Sequence, residues 1–226
     1  KGKIFFLSQD DKNYESLLSK EKEIQKNLNF RSIGKHDSFE ISSFKDRKEH
    51  GIIIFQDGSS LWVDSYLDGI KEGSHEEWVS NGDFDITLPH TIENFRNDKL
   101  EGLCQYFWDF CDHDGNPWPS YVMDEIFEKE CLPLERITNY KDGKKDGLER
   151  IYIPYIFESP SEFNYEEGQK EGAFKDWKWI ISPGASEDFV YVKGKYKDNL
   201  LEGPVVEYFK NGEIYRRSIF TKGKLL

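Results

Sequence analysis

The 226-residue sequence predicts a mainly β fold, an elongated meander of stacked antiparallel β-hairpins capped by a short N-terminal helix. Three observations predict it. A turn motif recurs along the chain, an aromatic residue recurs at a fixed distance beyond it, and one amphipathic stripe precedes the first repeat.

The stripe comes first in the chain. Within residues 10–29, Tyr14, Leu17, Leu18, Glu21, Ile24 and Leu28 fall on one side of a helix and charges fill the rest, so the spacing predicts a helix packed on its own core. Residues 1–43 are therefore read as a cap comprising this helix and a first strand, and residues 44–226 as the repeats, all in one structural domain.

The turn motif reads YLDGIKEG at 66–73, YKDGKKDG at 140–147, YEEGQKEG at 165–172 and YKDNLLEG at 196–203. With its first aromatic as position 0, units start near 44, 66, 95, 140, 165 and 196, and a further one opens at 220. The units at 44 and 95 are degenerate, with Arg47 in one turn and Asn97 and Asp98 in the other. Position +6 is acidic at Glu72, Glu101, Asp146, Glu171 and Glu202, with His50 the exception. Position +12 is aromatic at Trp78, Phe107, Tyr152, Trp177 and Tyr208.

Positions +2 and +3 are mostly Asp, Asn or Gly, including Gly69, Gly143 and Gly168, the residues that best tolerate the positive φ of a two-residue primed turn. Positions +1 and +4 then close each hairpin, and the aromatics Tyr66, Tyr140, Tyr165 and Tyr196 face position +5. Counting outward from the turn puts the +7 glycines (Gly73, Gly102, Gly147, Gly172, Gly203) opposite position −2. A glycine there marks a bulge or a backbone covered by a ring, and the expectation is that the position 0 ring covers it in its own or the adjacent unit. Further turns are predicted at Asp57-Gly58, Asn81-Gly82, Asp114-Gly115 and Asn211-Gly212.

This pattern, Y-x-[DN]-[GN]-x-x-[ED]-G with a later aromatic, resembles the MORN-repeat variant of bacterial proteins over most of 44–226. The resemblance implies hairpin stacks without catalytic residues. It also implies an antitoxin or immunity protein that neutralises a toxin by direct binding, in the bacterial cytoplasm or, if a leader was removed before Lys1, in the periplasm or envelope. A structural scaffold or adaptor is the competing expectation, with lipid binding third.

Composition bounds the chemistry. Aromatics are 15% of residues and only one Met and three Cys are present, which predicts aromatic rather than aliphatic packing and no disulfide framework. Forty-three acids against 31 Lys and Arg give a formal charge of −12, which disfavours nucleic acid and anionic lipid and attracts a basic protein partner, such as a basic toxin. No apolar run reaches membrane-spanning length. Oligomeric state is left open.

CDHDGNPW at 111–118 lacks the first and twelfth carboxylates of a calcium loop, and Cys104, Cys111, His113 and Cys131 have no C-x-x-C pair for zinc. The five histidines accompany no nucleophile motif and no phosphate loop is present, so no catalytic residue, cofactor or metal is expected. Binding residues are expected where irregular sequence concentrates aromatics. These are Trp108, Trp118 and Tyr121 in an insertion at about 103–139, and Trp177 and Trp179 in WKWIISPGASEDF at 177–189.

Overall fold

The computed structural model describes residues 3–8, 39–57, 60–81, 86–108, 133–152, 159–180 and 188–226. They are strands and turns, and the mainly β expectation holds. The candidate helix at 10–29 lies outside the described residues, as does the predicted Asp114-Gly115 turn. Where the sequence suggests one domain, the chain separates into two compact units, Lys1–Pro133 and Leu134–Leu226, each described by itself.

The N-terminal unit begins with a strand, Lys3–Ser8, that runs parallel to Phe39–Lys45. A parallel pair needs a crossover of a dozen residues or more, which residues 9–38 are long enough to make. From Phe39 onward every described neighbour pair in this unit is antiparallel, through Gly51–Asp57, Ser60–Leu67, Ile70–Asn81, Ile86–Arg96 and Gly102–Phe107. The C-terminal unit is likewise an antiparallel meander, through Leu134–Lys141, Gly147–Ile151, Ser161–Glu166, Gln169–Ile180, Asp188–Lys197, Gly203–Phe209 and Ile214–Thr221.

All the repeat turns take the primed geometry. Both central residues have positive φ in the pairs Asp46 and Arg47, Asp68 and Gly69, Asn97 and Asp98, Asp142 and Gly143, Glu167 and Gly168, Asp198 and Asn199, and Lys222 and Gly223. The degenerate unit at 44 and the truncated one at 220 therefore fold like the rest. Position 0 pairs with +5 throughout: Phe44 with Glu49, Tyr66 with Lys71, Phe95 with Leu100, Tyr140 with Lys145, Tyr165 with Lys170, Tyr196 with Leu201 and Phe220 with Leu225.

Beyond +5 the register departs from the expectation. Position −2 pairs with +9, not +7, as Asp64 with His75 and Phe163 with Phe174. Two extra residues on the returning strand form a bulge, and the +7 glycine sits in it with φ between +78° and +100° at Gly51, Gly73, Gly102, Gly147, Gly172 and Gly203. That conformation, rather than coverage by a ring, is what requires glycine. A Cβ built on Gly73, Gly147 or Gly172 would meet the side chain at −1 (Ser65, Asn139, Asn164) and not an aromatic ring. The glycine does pair with the aromatic of the next unit: Gly51 with Tyr66, Gly73 with Phe95, Gly147 with Tyr165, Gly172 with Tyr196 and Gly203 with Phe220.

Among the described residues, packing is more aliphatic than composition suggests. The buried apolar side chains are Ile54, Leu61, Leu88, Cys104 and Phe107 in the N-terminal unit, and Phe163, Phe174, Val190, Val192 and Val205 in the C-terminal one. Tyr165 and Tyr196 pack half-buried against this second cluster. A ring does lie against bare backbone at Gly194, where an added Cβ would sit 2.8 Å from Phe174 Cε1 and 3.0 Å from Val205 Cγ2.

Candidate functional site

Successive hairpins are joined at their turns by a repeated set of bonds. The acidic +6 side chain of one unit accepts the +2 backbone N–H of the next: Glu72 from Asn97 at 2.8 Å, Asp146 from Glu167 at 3.4 Å, Glu171 from Asp198 at 2.9 Å and Glu202 from Lys222 at 2.7 Å. His50, the exception in sequence, occupies the same place, its Nδ1 lying 3.3 Å from the Asp68 N–H nitrogen and 3.0 Å from Asp68 Oδ1. Neutral Nδ1 accepts the N–H; protonated Nδ1 donates to the carboxylate.

Beside this bond, the +3 N–H of each unit donates to the +5 carbonyl of the unit before it, as Gly69 to Glu49, Asp98 to Lys71, Gly168 to Lys145, Asn199 to Lys170 and Gly223 to Leu201. Where +3 carries a side-chain oxygen, it accepts the +5 N–H in return, at 2.6 Å for both Asp98 from Lys71 and Asn199 from Lys170. The +5 lysines also lie over the position 0 ring of the next unit, Lys71 over Phe95 at 4.4 Å, Lys145 over Tyr165 at 4.9 Å and Lys170 over Tyr196 at 5.2 Å. The turn and glycine residues singled out in sequence are thus framework. Between the turns of the C-terminal unit run open, polar grooves walled by Lys144, Asp146, Tyr165, Glu166, Glu167 and Asp198, which would leave a small molecule largely in water.

Polar groups enter the inner row formed by positions −2 and +9, two clusters of them charged. In the N-terminal unit, Asp64 Oδ1 lies 2.7 Å from His75 Nδ1 and 2.6 Å from Lys71 Nζ. Burial alone would raise the Asp64 pKa, but the bonds from His75 and Lys71 outweigh it and hold the carboxyl below its ordinary value. Among the described residues no hydroxyl or thiol is hydrogen-bonded to His75, so the pair stabilises the row without arming a nucleophile. In the C-terminal unit the buried Glu149 accepts from Thr138 Oγ1 at 3.1 Å and pairs with Lys145. Burial first, then the charge and hydrogen bond of Glu149, push the Tyr165 hydroxyl pKa well up.

The outer face of the C-terminal unit has a different character. Trp177, Tyr191 and Tyr208 are paired residues on three adjoining strands. Trp177 meets Tyr191 edge-on at 5.5 Å between centroids, and Tyr191 stacks on Tyr208 at 4.9 Å. One register step away on the same face, Lys175 pairs directly with Lys193, Lys193 with Val206 and Val206 with Arg217. Lys195 follows one step further, opposite Ala173.

Of the residues expected to bind a partner, Trp177 is placed in this row, its indole N–H donating to the Ser159 carbonyl at 2.8 Å. Trp179 pairs through its backbone with Phe189, and its side chain lies outside the described residues. Trp118 and Tyr121 lie outside them entirely. Trp108 belongs to the N-terminal unit, where its N–H donates to the Pro133 carbonyl at 2.8 Å and ties together the ends of the insertion. That insertion narrows to 109–132, because Gly102–Phe107 and Leu134–Lys141 are regular repeat strands. Tyr191, Lys175 and Lys193 were not singled out in sequence, and Tyr208 only as a +12 aromatic; the alternation of V-Y-V-K at 190–193 was the available signal.

No protein-family model matches the chain, and no curated protein matches it either.

Proposed function

We propose that this chain is a non-enzymatic protein-binding repeat protein of the antitoxin or immunity type, which neutralises a cognate bacterial toxin by covering it. The observation that carries the reading is the placement of charge. Residues 1–133 hold 27 Asp and Glu against 15 Lys and Arg, whereas residues 134–226 hold 16 of each, so the whole excess of −12 belongs to the N-terminal unit. A surface of that sign steers a basic protein toward it and competes with any polyanion that the protein would otherwise bind.

The turn-to-turn bonds support a binding role by making the framework stiff, so that little ordering is lost on association. The resemblance to MORN-variant repeats supports the toxin-neutralising form of it. The test is affinity purification of the full chain from its native host, followed by mass spectrometry. One stoichiometric basic partner that kills cells when expressed alone is the expected result. A set of envelope or housekeeping proteins with no toxic member would replace this reading with that of a scaffold or adaptor.

A further inference from the structure

The outer face of the C-terminal unit opposes, locally, the sign of the chain. Its four cations, Lys175, Lys193, Lys195 and Arg217, occupy neighbouring register positions on three of four adjoining strands, with Val206 on the strand between Lys193 and Arg217. Lys175 and Lys193 stand directly opposite each other, an arrangement that costs stability when nothing neutralises it. Among the described residues no carboxylate lies within ion-pair distance of any of the four; Glu162, opposite Lys175 in register, is engaged by Arg150 at 3.0 Å, and Lys175 Nζ donates to Ser159 Oγ at 2.5 Å. Like charges set face to face, with that carboxylate committed to Arg150, favour a face kept for something other than folding.

The aromatic row says what chemistry this is. Lys175 Nζ lies 5.2 Å from the Trp177 ring centre and 5.6 Å from that of Tyr191, while Lys193 Nζ lies 5.3 Å from Tyr191 and 5.8 Å from Tyr208. The faces of Tyr191 and Tyr208 are spent on each other and on these ammonium groups. A nucleobase stacks on an open ring face, and these two tyrosines already have their faces engaged. Ammonium and guanidinium groups and phenol hydroxyls remain, all donors suited to carboxylates.

We infer that this face, centred on Lys175, Lys193 and Tyr191, docks an acidic protein segment rich in Asp and Glu. The inference rests on the protein-binding reading above and deepens it, giving the C-terminal unit a partner surface of opposite charge to the one that the N-terminal unit attracts. Charge complementarity between unneutralised cations and carboxylates supplies specificity and rate, and the rigid aromatic row supplies contact area at low entropic cost.

The test measures binding of a fluorescent polyglutamate peptide to the full chain by anisotropy at low ionic strength. A thymidine oligonucleotide of equal length serves as comparator. The paired substitutions Lys175→Gln and Lys193→Gln should weaken peptide binding by about tenfold, while Lys141→Gln with Lys222→Gln, on exposed turns of the same unit, should leave it unchanged. Circular dichroism confirms that each variant is folded, and Lys193→Gln alone provides a milder probe should the double variant fail. The inference is overturned if the wild-type chain does not bind the peptide, if both pairs of substitutions weaken it equally, or if the oligonucleotide binds more tightly. Because no cellular partner is used, failure here leaves the co-purification result standing on its own.

Discussion

Glu72 Oε2 accepts the backbone N–H of Asn97 at 2.8 Å, across the step from one hairpin to the next. The same bond recurs at Asp146, Glu171 and Glu202, and His50 takes its place at the first step. It resembles a helix N-cap in its logic: a side-chain oxygen satisfies a turn N–H that the hairpin itself leaves over. The acid is therefore a joint between repeats, and its preference over other residues follows from the strength of a charge-assisted bond.

Removing that joint should weaken the array locally. Glu171→Ala deletes the acceptor for the Asp198 N–H and should cost about 1 kcal/mol, as loss of an N-cap does, with Glu171→Gln losing less. Urea denaturation of the two variants against wild type measures this. Equal stability of all three would show that water replaces the carboxylate at no cost.

The glycines at +7 can be separated from the glycine at −2 by the reason for each. Gly172 has φ of +83° and a built Cβ there makes only ordinary contact, with Asn164 Cβ at 3.9 Å. The strain there is conformational, so Gly172→Val should destabilise by about 1–3 kcal/mol and Gly172→Asn by clearly less, because Asn tolerates positive φ. Thermal denaturation distinguishes this ordering from a steric one, in which Val and Asn would be similar.

Much of this was legible in the sequence. Turn residues such as Asp142 and Gly143 announce positive φ because the tolerance is a property of each residue alone. Arg47, Glu167 and Lys222 do not announce it, and take the same geometry because the adjoining repeat imposes the register. The +6 acids were visible as a pattern, but their task was not, since the bond runs between residues 20 to 27 positions apart and depends on how hairpins stagger. The −2 and +9 pairing was missed for a local reason: two residues in a bulge are invisible to a count made outward from the turn. Within the candidate face, Trp177 stood out as an irregular aromatic, whereas Lys175 and Lys193 look like ordinary surface lysines until pairing sets them face to face.

Acid should act on the N-terminal unit through Asp64. Its folded pKa lies below its ordinary value of 3.8, the bonds from His75 and Lys71 overcoming burial. A depressed carboxyl contributes stability that is fully present above 3.8 and disappears as pH falls through the lower, folded value. Asp64→Asn should therefore lower the thermal midpoint at neutral pH and reduce its decline on acidification. An acid limb unchanged in slope would assign that decline to other carboxylates.

Gly194 tests whether ring-on-backbone packing holds the C-terminal core together. Unlike the turn glycines, it has no positive φ, and an added Cβ would sit 2.8 Å from Phe174 Cε1 and 3.0 Å from Val205 Cγ2. Phe174 stands in register opposite Gly194, with its centroid 6.1 Å from that of Phe163 and 4.7 Å from that of Tyr196, so it has little room to withdraw. Gly194→Ala should then cost about 1–3 kcal/mol by overpacking, although alanine favours the strand no less than glycine does. Phe174→Leu alone should also destabilise, by loss of buried area. Combined with Gly194→Ala it should cost less than the sum of the two, because the smaller side chain makes room for the new methyl group. A double-mutant cycle in urea reads that coupling directly. Additive losses would mean that Phe174 does not rest on Gly194, and that this glycine is kept for the flexibility of its strand instead.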